Sequence, residues 1–305
     1  MMASAVHRHS VVSSRRGGAR LGSRARAPRA AKRASVARAA FEVGEGPRLP
    51  RSPREQAKQA AEAVARAAAS GKKFFSIEFS LPLIGATDLD DWPGGVRQQY
   101  QAVAPMVGEF LKRVGGDDNA DVKQQVIDDS DAVVVLKTPA AKAMVFFTAE
   151  TLPELKKLAA AEEKTGGTLA IVNSQIMNGE GSNLISDLGI GPWKKKNEDF
   201  LATFEQAYWI SEQRIQGETI RLLKSYPYPW SLYVLTDMDA NDTEPKFIQT
   251  FDEKPSYKEL EAILMKREGS VAAMSIIDRV KREATFNATS VSQKPNNQSM
   301  DEGDF

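Results

Sequence analysis

The sequence predicts an α/β protein built as a three-layer mixed sheet, with a parallel βαβ first half, an antiparallel second half and helices on both faces. Three observations predict it. Two short apolar runs, Met144-Val-Phe-Phe147 and Leu169-Ala-Ile-Val172, flank a helical stretch at 152–163, and strand, helix and strand in that order form a parallel unit. Further strand-like stretches at 215–223, 230–235 and 247–251 follow one another over short connections, as antiparallel strands do. Between 96 and 114 apolar residues recur at three and four residues, which lays one apolar stripe along a helix.

In chain order, residues 54–70 are Ala-rich and helical in propensity, with Gly71 as the stop. Phe75, Ile77, Phe79 and Leu81 alternate with Ser76, Glu78 and Ser80, the period of a half-buried strand. A turn-rich loop over 85–95 leads to the amphipathic helix, where Pro105 is expected to introduce a kink. Residues 115–121 read as a polar loop, and Ala132-Val-Val-Val-Leu136 as a strand buried on both faces. Thr151 and Glu154 are spaced as a capping box for the helix at 152–163. After the irregular stretch 173–193, helical periodicity resumes over 194–208, the end of which also reads as strand. The turn Tyr226-Pro-Tyr-Pro229 joins the next two strands, and Ser256 with Glu259 forms a second capping box, closed by Gly269. A last amphipathic piece covers 274–283.

Charge is unevenly distributed. Of 41 Lys+Arg, ten fall within residues 1–40, beside six Ser, eleven Ala and no acid; the remainder therefore carries 31 basic against 40 acidic residues, a charge of −9. An Arg- and Ser-rich, acid-free leader has the composition of an organelle transit peptide, the competing reading being a basic arm for nucleic acid. Composition does not separate a chloroplast address from a mitochondrial one. The expected organisation is a transit peptide at 1–40, a Gly/Pro/Arg linker at 41–53, a single α/β domain at 54–289 and a disordered acidic tail at 290–305. His7 and His9 both lie in the leader and the chain has no Cys, so its removal leaves no imidazole base, thiol nucleophile or Cys/His metal site. No metal, cofactor or catalytic residue is expected, and the weight falls on binding rather than catalysis. A charge of −9 disfavours nucleic acid. No apolar run reaches the roughly 20 residues of a membrane-spanning helix, which leaves peripheral membrane contact.

Two loops carry the candidate binding residues. In the first, Asp91, Trp92, Gly94 and Gly95 precede a helix with Arg97 and Gln98 in its first turn. Free backbone N–H groups there suit an anion; the alternative is an Asp91 cap, a Trp92 core plug and glycines for curvature. In the second, Ser186, Asp187, Gly189, Gly191 and Trp193 lead into Lys194-Lys195-Lys196. The Gly-x-Gly spacing and lysines suit a nucleotide phosphate, but the third glycine is missing and Pro192 removes a donor. The competing reading is a surface loop pinned by Trp193, its lysines solvated or facing an acidic partner. Glu205, Arg214, Glu218 and Arg221 read as structural ion pairs, against the competing reading of a paired acid and base for hydrolysis, and Asp117, Asp118, Asp128, Asp129 and Asp131 as solvated loop acids, against weak Mg²⁺ binding.

Five segments together resemble the plant, algal and cyanobacterial family catalogued as a domain of unknown function, DUF1995. They are Trp92-Pro-Gly-Gly-Val-Arg-Gln-Gln-Tyr100, Phe147-Thr-Ala-Glu-Thr-Leu152, Ser186-Asp-Leu-Gly-Ile-Gly-Pro-Trp193, Arg214-Ile-Gln-Gly-Glu218 and Lys254-Pro-Ser-Tyr-Lys-Glu-Leu260. One departure is Asn173-Ser-Gln-Ile176, where the family pattern has a Pro and an aromatic residue. The resemblance implies a chloroplast protein of the stroma. For the branch named for low photosystem II accumulation, it implies an auxiliary role in photosystem II assembly, with the thylakoid insertion machinery and a core antenna subunit as partners. The alternative is an enzyme or sensor of a phosphometabolite or nucleotide, using Arg97, Asp187 and Lys194.

Overall fold

The computed structural model describes residues 46–81, 95–176, 188, 191–235, 244–267, 269–275, 277–278 and 280–281. Helix α1 (Pro53–Ala69) begins at Ser52, whose side chain accepts from the Glu55 N–H, and buries an alanine-rich face including Ala57, Ala60, Val64 and Ala67. Small side chains let it lie close to the sheet, on which Arg66 donates to the Tyr226 carbonyl and to Ser225 Oγ. Strand β1 (Phe74–Glu78) follows. Helix α2 (Val96–Gly115) runs through Pro105 and ends at Gly116, whose φ of +67° is the left-handed cap position.

Next come β2 (Lys123–Asp128), β3 (Val133–Lys137), β4 (Ala141–Val145), α3 (Leu152–Thr165), β5 (Thr168–Val172) and α4 (Pro192–Leu201). The second half holds β6 (Glu205–Ile215), β7 (Glu218–Ser225), β8 (Trp230–Val234), β9 (Lys246–Phe251), α5 (Tyr257–Lys266) and a 3₁₀ turn, Val271–Ala273. Among the described residues, nine strands form one sheet in the order β2-β3-β4-β5-β1-β6-β7-β8-β9. Pairs β4/β5, β5/β1 and β1/β6 are parallel; the rest are antiparallel. The fold class is the expected one, with antiparallel strands flanking the parallel centre on both sides. Pleating sends Phe75, Ile77 and Leu223 to the core under α1 and α2. It sends Phe74, Val133, Val135 and Met144 to the core under α3, which Phe200 and Leu201 of α4 also pack against. Ile220, Leu222 and Leu232 meet Leu260 and Leu264 of α5.

Four local expectations change. Strand β2 falls where no strand is expected, because an edge strand reads Lys-Gln-Gln-Val-Ile-Asp and hides little. Helical periodicity over 194–208 is split: α4 stops at Leu201 and β6 begins at Glu205. The pairing of β1 with β6 slips between Ser76 and Ile77, opposite Gln206 and Tyr208. That bulge puts Ala207 and Tyr208 in the same core, and the spacing Phe204, Ala207, Tyr208 imitates a helix. The strand expected over 215–223 is present as β7 but starts at Glu218: Ile215 ends β6, and Gln216 and Gly217, with φ of +50° and +86°, form the two-residue turn between the two strands. Thr151 makes no side-chain cap bond; its hydroxyl accepts from the Thr148 N–H and donates to the Thr148 carbonyl. Ser256 and Glu259 do form the full capping box.

Candidate functional site at the C-terminal edge of the parallel strands

In open α/β sheets ligands bind beyond the carboxyl ends of parallel strands. Here β4, β5 and β1 end side by side at Val145, Val172 and Glu78 while β6 runs on to Ile215, and Asn173 ties two of the departing chains together. At φ +48° it donates its N–H to the Ile77 carbonyl. Its side chain accepts from the Phe79 N–H at 2.9 Å and donates to the Phe79 carbonyl at 2.8 Å. The pairing of β1 and β5 thus continues past both strands, held by one carboxamide.

Beneath that edge, on the α3/α4/α5 face, lies a crevice of about 440 Å³. Its polar lining comes from Ser76 and Glu78 of β1, Ser174 after β5, Glu198 of α4, Gln206 and Trp209 of β6, and Lys254 before α5. Phe147, Ile171, Ile176, Leu188, Leu201 and Phe204 supply the apolar walls. Glu78 and Trp209 are register partners across β1 and β6, which places both side chains on this face.

The electrostatics follow from burial. Removal from water pushes the Glu78 carboxyl up to about 7, with Lys254 pulling the other way. Burial likewise holds the Lys254 ammonium below its ordinary range, opposed by Glu78. Lys254 Nζ rests 4.1 Å from the Trp209 ring centroid, a cation–π contact strengthened by desolvation. Trp209 Nε1 is buried with no acceptor among the described residues. The site therefore offers an acid poised at neutral pH and a cation on an indole face, both against apolar walls.

A second cavity, of about 750 Å³, borders the tip of β1 from the α1 side. Glu78, Gln56, Glu212, Arg214 and Arg221 line it. Apart from Glu78 these groups are engaged: Arg221 pairs with Glu212 at 2.8 Å, and the Gln56 carboxamide holds both backbone groups of Ser80.

The residues singled out by sequence lie elsewhere. Gly95 is the N-cap of α2, and Arg97 meets Asp129 at 2.6 Å in an exposed pair beyond β2. Gln98 follows in the same turn of α2. Gly191 caps α4 with φ +64°; Trp193 is 72% exposed, with Lys196 Nζ 5.2 Å from its ring centroid, and Lys194 reaches Glu198 at 3.9 Å. Arg97 and Gln98 belong to the α1/α2 layer and Gly191, Trp193 and Lys194 to the α3/α4/α5 layer; none of the five lines the crevice. Asp91, Trp92, Gly94, Ser186, Asp187 and Gly189 are outside the described residues. Glu205 and Glu218 sit in ion pairs with Lys72 and Arg267, and the Asp117 and Asp128 carboxylates accept from the backbone of their own turns. Sequence reasoning missed Glu78, Trp209 and Lys254. The available signal was an acid between the buried Ile77 and Phe79 of one strand.

The family model described as a domain of unknown function (DUF1995) matches residues 50–262. The chain belongs to that family. Comparison with curated proteins and with solved structures returns no match. The DUF1995 match takes in every strand and every crevice residue, from Ser76 to Lys254, and ends inside α5. Among the described residues of this DUF1995 protein, no helix is long and apolar enough to cross a membrane.

Proposed function

We propose that this chain is a chloroplast stromal auxiliary factor that assists photosystem II assembly through transient protein contacts at the thylakoid surface. The observation that carries the reading is Trp193, a large aromatic left 72% exposed on α4, a helix with no buried residue. An exposed Trp flanked by Lys194, Lys195 and Lys196 is the composition of an interface anchor, and the lysines suit an acidic partner. The acid-free leader at 1–40 supports import into plastids, and family membership supports the same compartment. The partner is a thylakoid membrane protein or its insertion machinery, with a photosystem II core antenna subunit as the first candidate.

The test is tagged capture of the processed protein from lysed plastids, wild type against Trp193→Ala. Thylakoid core or insertase subunits are expected with the wild type and strongly reduced with the variant. Recovery no higher than an untagged control refutes the reading.

A second reading, binding of a phosphometabolite or nucleotide, draws on the three lysines at the start of α4. It is weakened by the engagement of Arg97 with Asp129. A nucleotide or sugar phosphate at a hundred times its dissociation constant would add about 2.7 kcal/mol of stability, readable as a thermal shift; a flat panel removes this reading.

A further inference from the structure

The crevice is lined by two charged groups, Glu78 and Lys254, that the fold leaves without a hydrogen-bonded or ion-paired partner among the described residues. No hydrogen bond reaches the Glu78 carboxyl among the described residues, and Lys254 influences it through space only. Lys254 itself rests on an indole face rather than against a carboxylate. Buried polar groups are ordinarily satisfied, and those left open at the mouth of a cavity mark where a ligand's own groups belong.

One ligand answers both. An ammonium satisfies Glu78, a carboxylate on the adjacent carbon satisfies Lys254, and an apolar body fills the space between Phe147, Ile171 and Phe204. We infer that the crevice binds a free zwitterionic α-amino acid with an apolar side chain, its ammonium on Glu78 and its carboxylate on Lys254. The volume, about 440 Å³, lies at the small end of the range of about 300–1,000 Å³ for ligand sites. A phosphate group fits poorly, because its two charges would face Glu78 with a single lysine to offset them. This site shares no residue with the Trp193 surface, so it stands or falls independently of the partner reading.

A pH dependence follows. The charged groups around Glu78 are Lys254 and Glu198 in the crevice and Arg51, Glu212, Arg214 and Arg221 past the tip of β1. An ammonium ligand needs Glu78 ionised, and the empty site titrates near 7. Affinity is therefore level at higher pH and falls toward about tenfold per pH unit below that point.

The experiment is calorimetric titration of the full chain with L-leucine and L-phenylalanine at pH 8 and pH 6. Isocaproate, which lacks the amine, and isopentylamine, which lacks the carboxylate, serve as analogues. Saturable amino-acid binding at pH 8 is expected, several-fold weaker at pH 6, with both analogues at least about tenfold weaker than leucine. Glu78→Gln, checked for an unchanged circular dichroism spectrum, should lose about tenfold or more and lose the pH dependence. Absence of saturable binding by either amino acid overturns the inference, as does isocaproate binding as tightly as leucine. The analogue comparison uses the wild type alone, so it decides the matter even where the variant does not fold.

Discussion

Replacing Glu78 by Gln keeps the shape of the side chain and removes its charge, which turns the burial of this carboxyl into a measurable pH effect on stability. An unfolded glutamate titrates near 4.5, whereas the folded protein holds Glu78 up to about 7. Below 4.5 both states carry the proton and the group contributes no pH dependence. As pH rises from 4.5 to 7 the unfolded chain releases its proton first, so the wild type loses stability relative to the variant; above 7 the loss is complete. At about 1.4 kcal/mol per pH unit, the full effect is about 3 kcal/mol. Urea denaturation of wild type and Glu78→Gln at half-unit intervals from pH 4.5 to pH 8 measures it, the titrating groups that do not interact with Glu78 cancelling in the difference. The difference, variant minus wild type, should climb by about 3 kcal/mol across the interval. A difference that stays level within about 0.5 kcal/mol would refute the claim that Glu78 is held in a desolvated site, since a solvated glutamate has no reason to leave its ordinary range.

Two substitutions separate structural ion pairs from replaceable ones. Glu218, 2% exposed, accepts from Arg267 and Ser270 and joins β7 to the chain after α5. Glu218→Ala leaves Arg267 without its carboxylate and should cost about 3–5 kcal/mol in urea denaturation; a cost below about 1 kcal/mol would show that the clamp adds little. Arg97→Ala breaks an exposed pair with Asp129 and should cost less than about 1 kcal/mol by the same measurement.

Local chemistry made much of the fold legible. The small-residue face of α1, the stripe along α2, the apolar runs of β3 and β5 and the Ser256–Glu259 capping box each depend on residues within a turn or two, which periodicity records directly. Periodicity misled where distant pairing overrode it. The β1/β6 bulge gave β6 helix-like spacing at Ala207 and Tyr208, and the edge position of β2 removed the need for an apolar face. The Gln216–Gly217 turn was hidden because the apolar residues on either side, Ile215 and Ile220, read as one strand.

The candidate site was less legible than the fold. By itself the sequence determined a basic, acid-free stretch over residues 1–40, an acidic remainder free of His and Cys, the α/β class, and the segments that carry the family resemblance, all properties of composition or of neighbours along the chain. Only the tertiary structure set Glu78, Trp209 and Lys254 around one crevice, with Arg97 paired to Asp129 in a different layer. The physical reason is that the Glu78 carboxyl and the Lys254 ammonium take their character from desolvation and from each other. Both depend on which strand ends become neighbours once β1 is inserted between β5 and β6.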